Sequence, residues 1–212
     1  MENEQNIRST LAKLPLTQSN IIRVVTLRVS LEKTSPPIWR RVQLTEEMTL
    51  SDLHFAIQGA FDWDDSHLHM FKIKDMGMFS SKRSSWDGDF DDMDTDDSSK
   101  VSLGSLVRSQ VKKFRYIYDF GDSWSHEVKI EKVEVIKEKL TLPRCIDGAL
   151  CGPPEDCGGI YGFFNFKEIM ADRKHPEYKD MKDWYGKTFD PEKFSVAAAN
   201  KNIKQLKNWE SR

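Results

Sequence analysis

Apolar and polar residues alternate along the first part of the chain. From Val25 to Leu31 every second side chain is apolar, and the positions between hold Thr, Arg and Ser. This period of two is typical of a strand that buries one face, and it predicts a strand over Ile21–Leu31. A Pro-Pro pair follows, and a second extended stretch covers Ile38–Leu44. The two stretches together predict an antiparallel pair of strands.

A helical period replaces the alternation after Thr49. Apolar residues recur three or four positions apart at Leu50, Leu53, Ile57, Ala60 and Phe61. Thr49 is a favourable N-cap, and Asp52 lies in the first turn, where the helix dipole favours a negative charge. The spacing predicts an amphipathic helix that ends before the DWDD sequence at residues 62–65.

Three further strands are predicted downstream. His67–Ile73 is short, and alternation within it places His67 and His69 on one face. Phe114–Phe120 carries an aromatic residue at every second position, and Trp124–Ile136 is long enough to return beside it. The Gly-Asp-Ser sequence between them predicts the turn of a hairpin.

The regular pattern stops after Pro143. The segment RCIDGALCGPPEDCGGIYGF contains five Gly and two Pro and predicts an irregular but ordered loop. Three helical stretches follow, at Phe163–Asp172, Pro176–Trp184 and Asp190–Trp209, and the last begins with an Asp-Pro start signal. The order of elements predicts an α+β fold: a mainly antiparallel sheet packed by one N-terminal helix and a C-terminal helical segment.

The length and the distribution of residues predict a single domain. A chain of 212 residues fits one domain. Residues 1–19 are polar and predict a disordered leader, so the α+β domain is expected over residues 20–209, with its C-terminal helical part at 160–209. Seven Asp between positions 87 and 97 predict a variable acidic insertion at residues 84–99.

Composition and charge limit the classes of protein to which the chain can belong. Lys and Arg number 32 and Asp and Glu number 34, so there is no overall basic field for nucleic acid. Binding of nucleic acid would need a local patch, for which the basic positions are Arg40, Arg41, Lys112, Lys113 and Arg115. No apolar run approaches the ~20 residues of a membrane span, so no membrane association is expected. Three Cys without an apolar leader predict a cytoplasmic protein.

The stretch YIYDFGDSWSHEVKI contains DFG, the sequence that holds magnesium in protein kinases. The chain has no Gly-rich loop, strand lysine or HRD sequence before Asp119, so a kinase is excluded. The remaining interpretation is a hairpin tip. There Gly121 allows a positive φ, and Asp119 and Asp122 accept hydrogen bonds from turn amides.

A cation site is an alternative interpretation of the same tip. Asp119, Asp122 and His126 could meet His67 and His69, because two histidines two residues apart on a strand share a face. Carboxylate and imidazole ligands suit Mg, Mn or Zn, so a divalent metal is the candidate cofactor. The competing interpretation is a pair of half-buried histidines bonded to carboxylates.

The PPEDCGG sequence offers a second polar loop. Glu155 and Asp156 precede a Gly-Gly turn and a helix start, a setting that either binds an anion through backbone amides or caps the helix. Cys145, Cys151 and Cys157 lack the spacing of zinc ribbons, which favours thiols packed in the loop.

These sequences occur in an order that resembles one protein family. IWRRVQL, TLSDLHFAIQGAFDWDDSHLHMFKI, YIYDFGDSWSHEVKI, CIDGALCGPPEDCGGIYGF and HPEYKDMKDWYGKTFDPEKF together closely resemble the plasmid pRiA4b Orf-three-like family, also labelled insertion-element passenger proteins. The resemblance runs from about Ile21 to Leu206, and the acidic stretch departs from it. It implies a single α+β domain, an association with mobile elements and uncharacterised relatives. It implies no catalytic residues.

Three functions follow as hypotheses. The first is a binding or accessory protein for a small ligand or a protein, with a polar site formed by the YDFGDSW hairpin and the PPEDCGG loop. Its candidate residues are Asp119, Asp122, Trp124, His126, Glu155 and Asp156. The second is a divalent-metal hydrolase or nuclease, with His67, His69, Asp122 and His126 as candidate ligands. The third is a nucleic-acid-binding protein associated with mobile elements.

Overall fold

A computed structural model describes residues 22–81 and 95–210, without the side chains of residues 207–210. The predicted leader and most of the predicted acidic insertion lie outside these ranges. In chain order the elements are β1 Ile22–Leu31, β2 Trp39–Thr45, α1 Leu50–Phe61, β3 His69–Ile73, β4 Gly77–Ser80, β5 Asp96–Asp97, α2 Leu103–Arg108, β6 Lys113–Tyr118, β7 Trp124–Ile136, β8 Arg144–Ala149, α3 Gly159–Ala171, α4 Tyr178–Tyr185 and α5 Val196–Glu210.

The eight strands within the described residues join one sheet. Their order is β5-β4-β3-β6-β7-β1-β2-β8, and every neighbouring pair is antiparallel except β4 and β5. The predicted pair of β1 with β2 and the predicted β6–β7 hairpin are both present, the latter with Tyr116 opposite His126. The α+β fold with a mainly antiparallel sheet is therefore confirmed.

One face of the sheet carries the core. The alternation in β1 buries Val25, Leu27 and Val29 completely, because these side chains face the helices. Helix α1 begins at the predicted cap: the Thr49 hydroxyl accepts from the Asp52 amide, and the Asp52 carboxylate accepts from the Thr49 amide. Helices α1 and α5 then cross closely enough that a Cβ on Gly59 would lie 2.4 Å from the backbone nitrogen of Ile203. Only glycine fits at that crossing.

Strand β8 lies where an irregular loop was predicted. Arg144–Ala149 pairs with β2 and forms an edge of the sheet. An edge strand needs only one paired neighbour, so a glycine costs it less than it would cost a central strand. The glycine also has a packing role, because a Cβ on Gly148 would lie 2.6 Å from the Phe194 ring. The turn-like composition of this segment reflects close packing and not irregular backbone.

Helix α5 covers the outer edge of β8. The Asn200 side chain accepts a hydrogen bond from the Cys145 amide and donates one to the Cys145 carbonyl, each at 2.8 Å. A single side-chain amide thus takes the place of a neighbouring strand. This blunts an edge that would otherwise offer unpaired backbone groups to another chain.

Other predicted boundaries also differ from the structure. Helix α3 begins at Gly159 and not at Phe163, so its first turn lies inside the predicted loop. The end of the acidic stretch is ordered, because Asp96–Asp97 pairs with β4 and Ser98 is fully buried. The last helix begins at Val196 and not at Asp190. The Asp190 carboxylate accepts from the Glu192 amide in a separate turn, while the Ser195 hydroxyl accepts from the Ala198 amide at the helix start. Within the described residues, none of the helices is both long and apolar enough to cross a bilayer.

Candidate functional site

The turn between β6 and β7 is organised by one carboxylate. Asp119 Oδ1 accepts from the amides of Gly121 at 2.9 Å and Asp122 at 3.3 Å, as the sequence predicts for a hairpin tip. The left-handed positions are Asp119, with φ of 55°, and Ser123, with φ of 54°. Gly121 does not have the predicted positive φ. Asp is among the few non-glycine residues that tolerate this conformation, and here it also bonds the turn amides.

The PPEDCGG loop packs directly on this turn. Asp122 Oδ2 accepts from the Gly158 amide at 3.2 Å, and not from an amide of its own turn as predicted. Gly159 has a φ of 66°, and a Cβ there would lie 2.6 Å from the Asp122 carbonyl oxygen. A glycine is therefore needed where the loop passes the turn and enters helix α3.

A third segment, residues 62–68 after α1, completes the site. The Trp63 indole donates to the Pro153 carbonyl at 2.9 Å, and the Asp64 amide donates to Glu155 Oε2 at 2.9 Å. The Ser66 amide donates to the Tyr118 hydroxyl at 3.0 Å. We call these three segments the rim: residues 62–68, residues 118–123 and residues 153–159.

The Glu155 carboxylate lies at the centre of the rim. It accepts a short hydrogen bond from the Tyr118 hydroxyl as well as the bond from the Asp64 amide. Burial raises the pKa of Glu155 above its usual range, and burial also raises the pKa of Tyr118. A carboxyl group with a raised pKa is better suited to exchanging a proton near neutral pH than an ordinary glutamate.

An imidazole and two carboxylates converge beside Glu155. His67 Nε2 lies 2.9 Å from Asp156 Oδ1 and 3.8 Å from Asp119 Oδ2. The three ligand atoms all lie within 4.8 Å of one another. The Asp156 side chain is 67% exposed, whereas the His67 Nε2 atom is itself buried although the His67 side chain is 30% exposed.

The other predicted histidines lie elsewhere. Strand β3 begins only at His69, so strand alternation does not reach His67, and the two side chains have different surroundings. His69 is buried against helix α1, with its ring stacked on His54 at 3.5 Å. The predicted metal set of His67, His69, Asp122 and His126 therefore does not share one group of ligand atoms.

His126 and Trp124 lie beneath the rim, in the core. Alternation along β7 turns both side chains toward the helices, and both are at least 99% buried. His126 Nδ1 lies 3.0 Å from the Trp124 carbonyl oxygen, and burial lowers the pKa of His126 to about 3. Of the six candidate ligand-binding residues, Asp119, Asp122, Glu155 and Asp156 belong to the rim, whereas Trp124 and His126 support it from below.

A closed hydrogen-bond ring anchors helix α1 to the sheet. Gln58 donates to the Tyr116 hydroxyl at 3.0 Å and accepts from the Asp65 amide at 3.0 Å. His54 Nδ1 lies 2.8 Å from the Tyr116 hydroxyl, and His54 Nε2 lies 2.8 Å from Asp65 Oδ1. The network assigns the His54 proton to Nε2, which donates to Asp65 while Tyr116 donates to Nδ1. His54 is not among the residues predicted from the sequence, although it is a polar residue on the apolar face of the predicted helix.

His54, Asp65 and His69 also lie close enough together to suggest a metal. The rings of His54 and His69 are nearly parallel, at 11°, and stacked. A metal in the plane of one imidazole would then lie far out of the plane of the other, and His54 Nε2 already bonds Asp65. We therefore assign this group a structural role.

The three cysteines are free thiols, Cys145 in strand β8 and Cys151 and Cys157 in the loop that follows it. Burial raises the pKa of Cys145 and of Cys151, and it raises the pKa of Cys157 to about 12. A thiol with a raised pKa carries little thiolate near neutral pH, so the cysteines lack the activation of a nucleophile.

Comparisons with known proteins agree with this architecture. The chain is 35% identical over 189 residues to the uncharacterized protein y4hQ of Sinorhizobium fredii (strain NBRC 101917 / NGR234), covering 88% of this chain and 93% of that protein. It also resembles the crystal structure of MM3350, a protein of unknown function from Methanosarcina mazei Go1. That likeness has a TM-score of 0.72 at 35% identity and covers 84% of this chain and 98% of the other.

The family comparison covers the sheet, the rim and most of the helical part. The sequence profile described as "Plasmid pRiA4b ORF-3-like protein" matches residues 23–198, a range that includes every rim residue. This chain belongs to the plasmid pRiA4b ORF-3-like family.

Proposed function

We propose that this chain is a binding protein whose rim holds a divalent cation between His67, Asp119 and Asp156 and presents it to a ligand. The convergence of the three ligand atoms carries the proposal. Two ligands at about 2.1 Å from a metal lie about 3.0 Å apart at a right angle and about 3.4 Å apart in a tetrahedron. The observed separations of 2.9 and 3.8 Å bracket these values.

The surroundings favour a cation that keeps open positions. One imidazole and two carboxylates form the donor set, which suits Zn or Mn better than the all-oxygen set of Ca. Water or a ligand atom would reach such a cation from the side of the exposed Asp156. Open positions are typical of a site that works on a bound molecule and not of a closed structural site.

Metal binding by substituted proteins tests the proposal. Asp119→Asn keeps the oxygen that accepts the turn amides, and Asn tolerates the left-handed conformation of Asp119, so the change removes a ligand and leaves the turn. We expect protein purified without chelator to bind Zn²⁺ or Mn²⁺ at one per chain by calorimetry and elemental analysis. Asp119→Asn, Asp156→Asn and His67→Gln should each weaken that binding about tenfold or more.

Asp183→Asn is the matched control, because Asp183 is an exposed carboxylate on α4 outside the rim. It should bind the metal like the parent chain. Equal affinity in the parent and in Asp119→Asn, with the fold intact by circular dichroism, would contradict the proposal.

A metal-dependent hydrolase is the second candidate, and Glu155 is the observation that favours it. A carboxyl with a raised pKa beside a metal site can take a proton from a metal-bound water. Glu155→Gln should then retain the metal but lose cleavage of an activated phosphodiester such as bis-p-nitrophenyl phosphate, whereas Asp119→Asn should lose both. Metal binding without any turnover by the parent chain would leave the binding protein as the function.

A further inference from the structure

A groove beside the rim lies between helices α3 and α4. It has a volume of about 510 Å³. Phe166, Met181 and Trp184 supply an apolar surface, and Asp156, Glu177 and Asp180 supply three carboxylates. Cavities of this volume are typical of sites for small organic molecules.

The apolar surface is rigid at its base and open at its wall. The Phe166 ring is 99% buried and meets the Trp184 indole edge to face, with their centroids 6.0 Å apart. Trp184 is nevertheless 49% exposed, so its outer part is available to a ligand. An indole held in place by one aromatic neighbour and open on another side is a suitable wall for a cation or a methylene chain.

The negative charge of the groove is not neutralised by basic residues in its lining. No Lys or Arg is among the residues that line it. In the part of the chain that the structure describes, Asp156 is paired with His67, but neither Glu177 nor Asp180 forms an ion pair. Carboxylates around an exposed indole are complementary to a positively charged group, which gains both Coulomb attraction and a cation–π contact.

We propose that this groove binds a small aliphatic polyamine, with its ammonium groups at Glu177, Asp180 and Asp156. Its methylenes would lie on Met181 and Trp184. A free amine fits better than an extended peptide, because helices form most of both walls and their backbone groups are already bonded within the helices. The inference goes beyond the metal site of the rim, with which the groove shares only Asp156.

Calorimetric titration of the metal-free 212-residue chain with spermidine tests the proposal. In buffer with about 150 mM salt, which screens non-specific attraction, we expect one site per chain. The double substitution Glu177→Gln and Asp180→Asn should weaken binding about tenfold, and Trp184→Leu should weaken it about threefold. Asp183→Asn, on the same helix but outside the groove, should bind spermidine like the parent chain.

Matched probes separate the contribution of the ammonium charges from that of the methylene chain. The diamine 1,6-diaminohexane should bind, and 1,6-hexanediol, which has the same methylene chain without charge, should not. Absence of spermidine binding by the parent chain would overturn the proposal, as would equal weakening by Asp183→Asn. Asp119→Asn, which should lose the metal, should still bind spermidine, so failure of one site is distinguishable from failure of the other.

Discussion

A fully buried histidine ties stability to pH at the scale of one residue. His126 is enclosed by the Phe61, Trp63 and Tyr116 rings, and burial lowers the pKa of His126 from 6.5 to about 3. Above pH 6.5 the folded and unfolded states hold the same number of protons on this group. Between pH 6.5 and 3 the unfolded state holds one more, so acid favours unfolding.

We therefore expect His126→Gln to reduce the acid sensitivity of the fold. In the parent chain, His126 should lower the free energy of unfolding by up to about 1.4 kcal/mol for each pH unit below 6.5. The substituted chain should lose that contribution, whatever its stability at neutral pH. Urea unfolding measured from pH 7 to pH 4 gives both slopes. Parallel curves for the two proteins would show that His126 does not titrate as its burial requires.

At the scale of elements, the edge strand β8 depends on a side chain from helix α5. The Asn200 amide satisfies both backbone groups of Cys145. We expect Asn200→Ala to lower the free energy of unfolding by about 1–3 kcal/mol, because it leaves a donor and an acceptor unpaired at a partly buried edge. Chemical unfolding measures the loss, and light scattering should show increased self-association through the uncovered edge.

Asn202→Ala is the control for this prediction. Asn202 is on the same helix and donates to Asp62 at an exposed position. Its removal should change the free energy of unfolding by less than about 0.5 kcal/mol. Equal effects of the two substitutions on the free energy of unfolding would mean that the bonds of Asn200 to the strand stabilise the fold no more than the exposed bond of Asn202.

The elements that sequence predicted well are those whose signals are local. Strand β1 buries every second side chain from Val25 to Leu31, so its alternation is readable, and Thr49 caps α1 through Asp52, three positions away. Strand β8 was not predicted because glycine is needed at position 148 for close packing against Phe194, which is distant in sequence. The shared face predicted for His67 and His69 failed because the strand starts at His69, and a strand start depends on tertiary pairing.

In the rim too, contacts between residues close in sequence were predictable and contacts between distant residues were not. The hairpin tip followed from Asp119 and its neighbours, since Asx turns are local. The group formed by His67, Asp119 and Asp156 required three segments far apart in sequence to meet. The spacing of these three residues along the sequence does not show that they lie close together in space.

At the scale of the whole molecule, several charges of the sheet are arranged in pairs. Arg41 bonds Glu131 and Asp147, Lys113 bonds Glu127, and Arg115 bonds Glu32. Three of the basic positions considered for a nucleic-acid patch are thus paired with carboxylates. A fourth, Arg40, is 98% buried and bonds the Ala60 and Ala149 carbonyls. Phosphates would have to displace these partners, which favours a function other than binding nucleic acid.

We expect the chain to bind neither duplex nor single-stranded DNA with a Kd below about 10 µM at about 150 mM salt. Fluorescence anisotropy with labelled oligonucleotides at two salt concentrations measures this. Replacing Glu127 and Glu131 with Gln frees Lys113 and leaves Arg41 paired with Asp147 alone, so the double variant should bind more tightly than the parent chain. Tight, steeply salt-dependent binding by the parent would instead support the nucleic-acid hypothesis.

Asp156 belongs both to the proposed metal site of the rim and to the proposed amine site of the groove, so binding at one site should change the affinity of the other. Its carboxylate approaches His67 at 2.9 Å and also lines the groove. A cation bound at the rim would withdraw that negative charge from the groove, so the metal and the amine should antagonise each other. Such antagonism is reciprocal: the factor by which the metal weakens the amine equals the factor by which the amine weakens the metal. Through this one shared carboxylate, the occupancy of each proposed site should depend on the concentrations of both cations, without any conformational change.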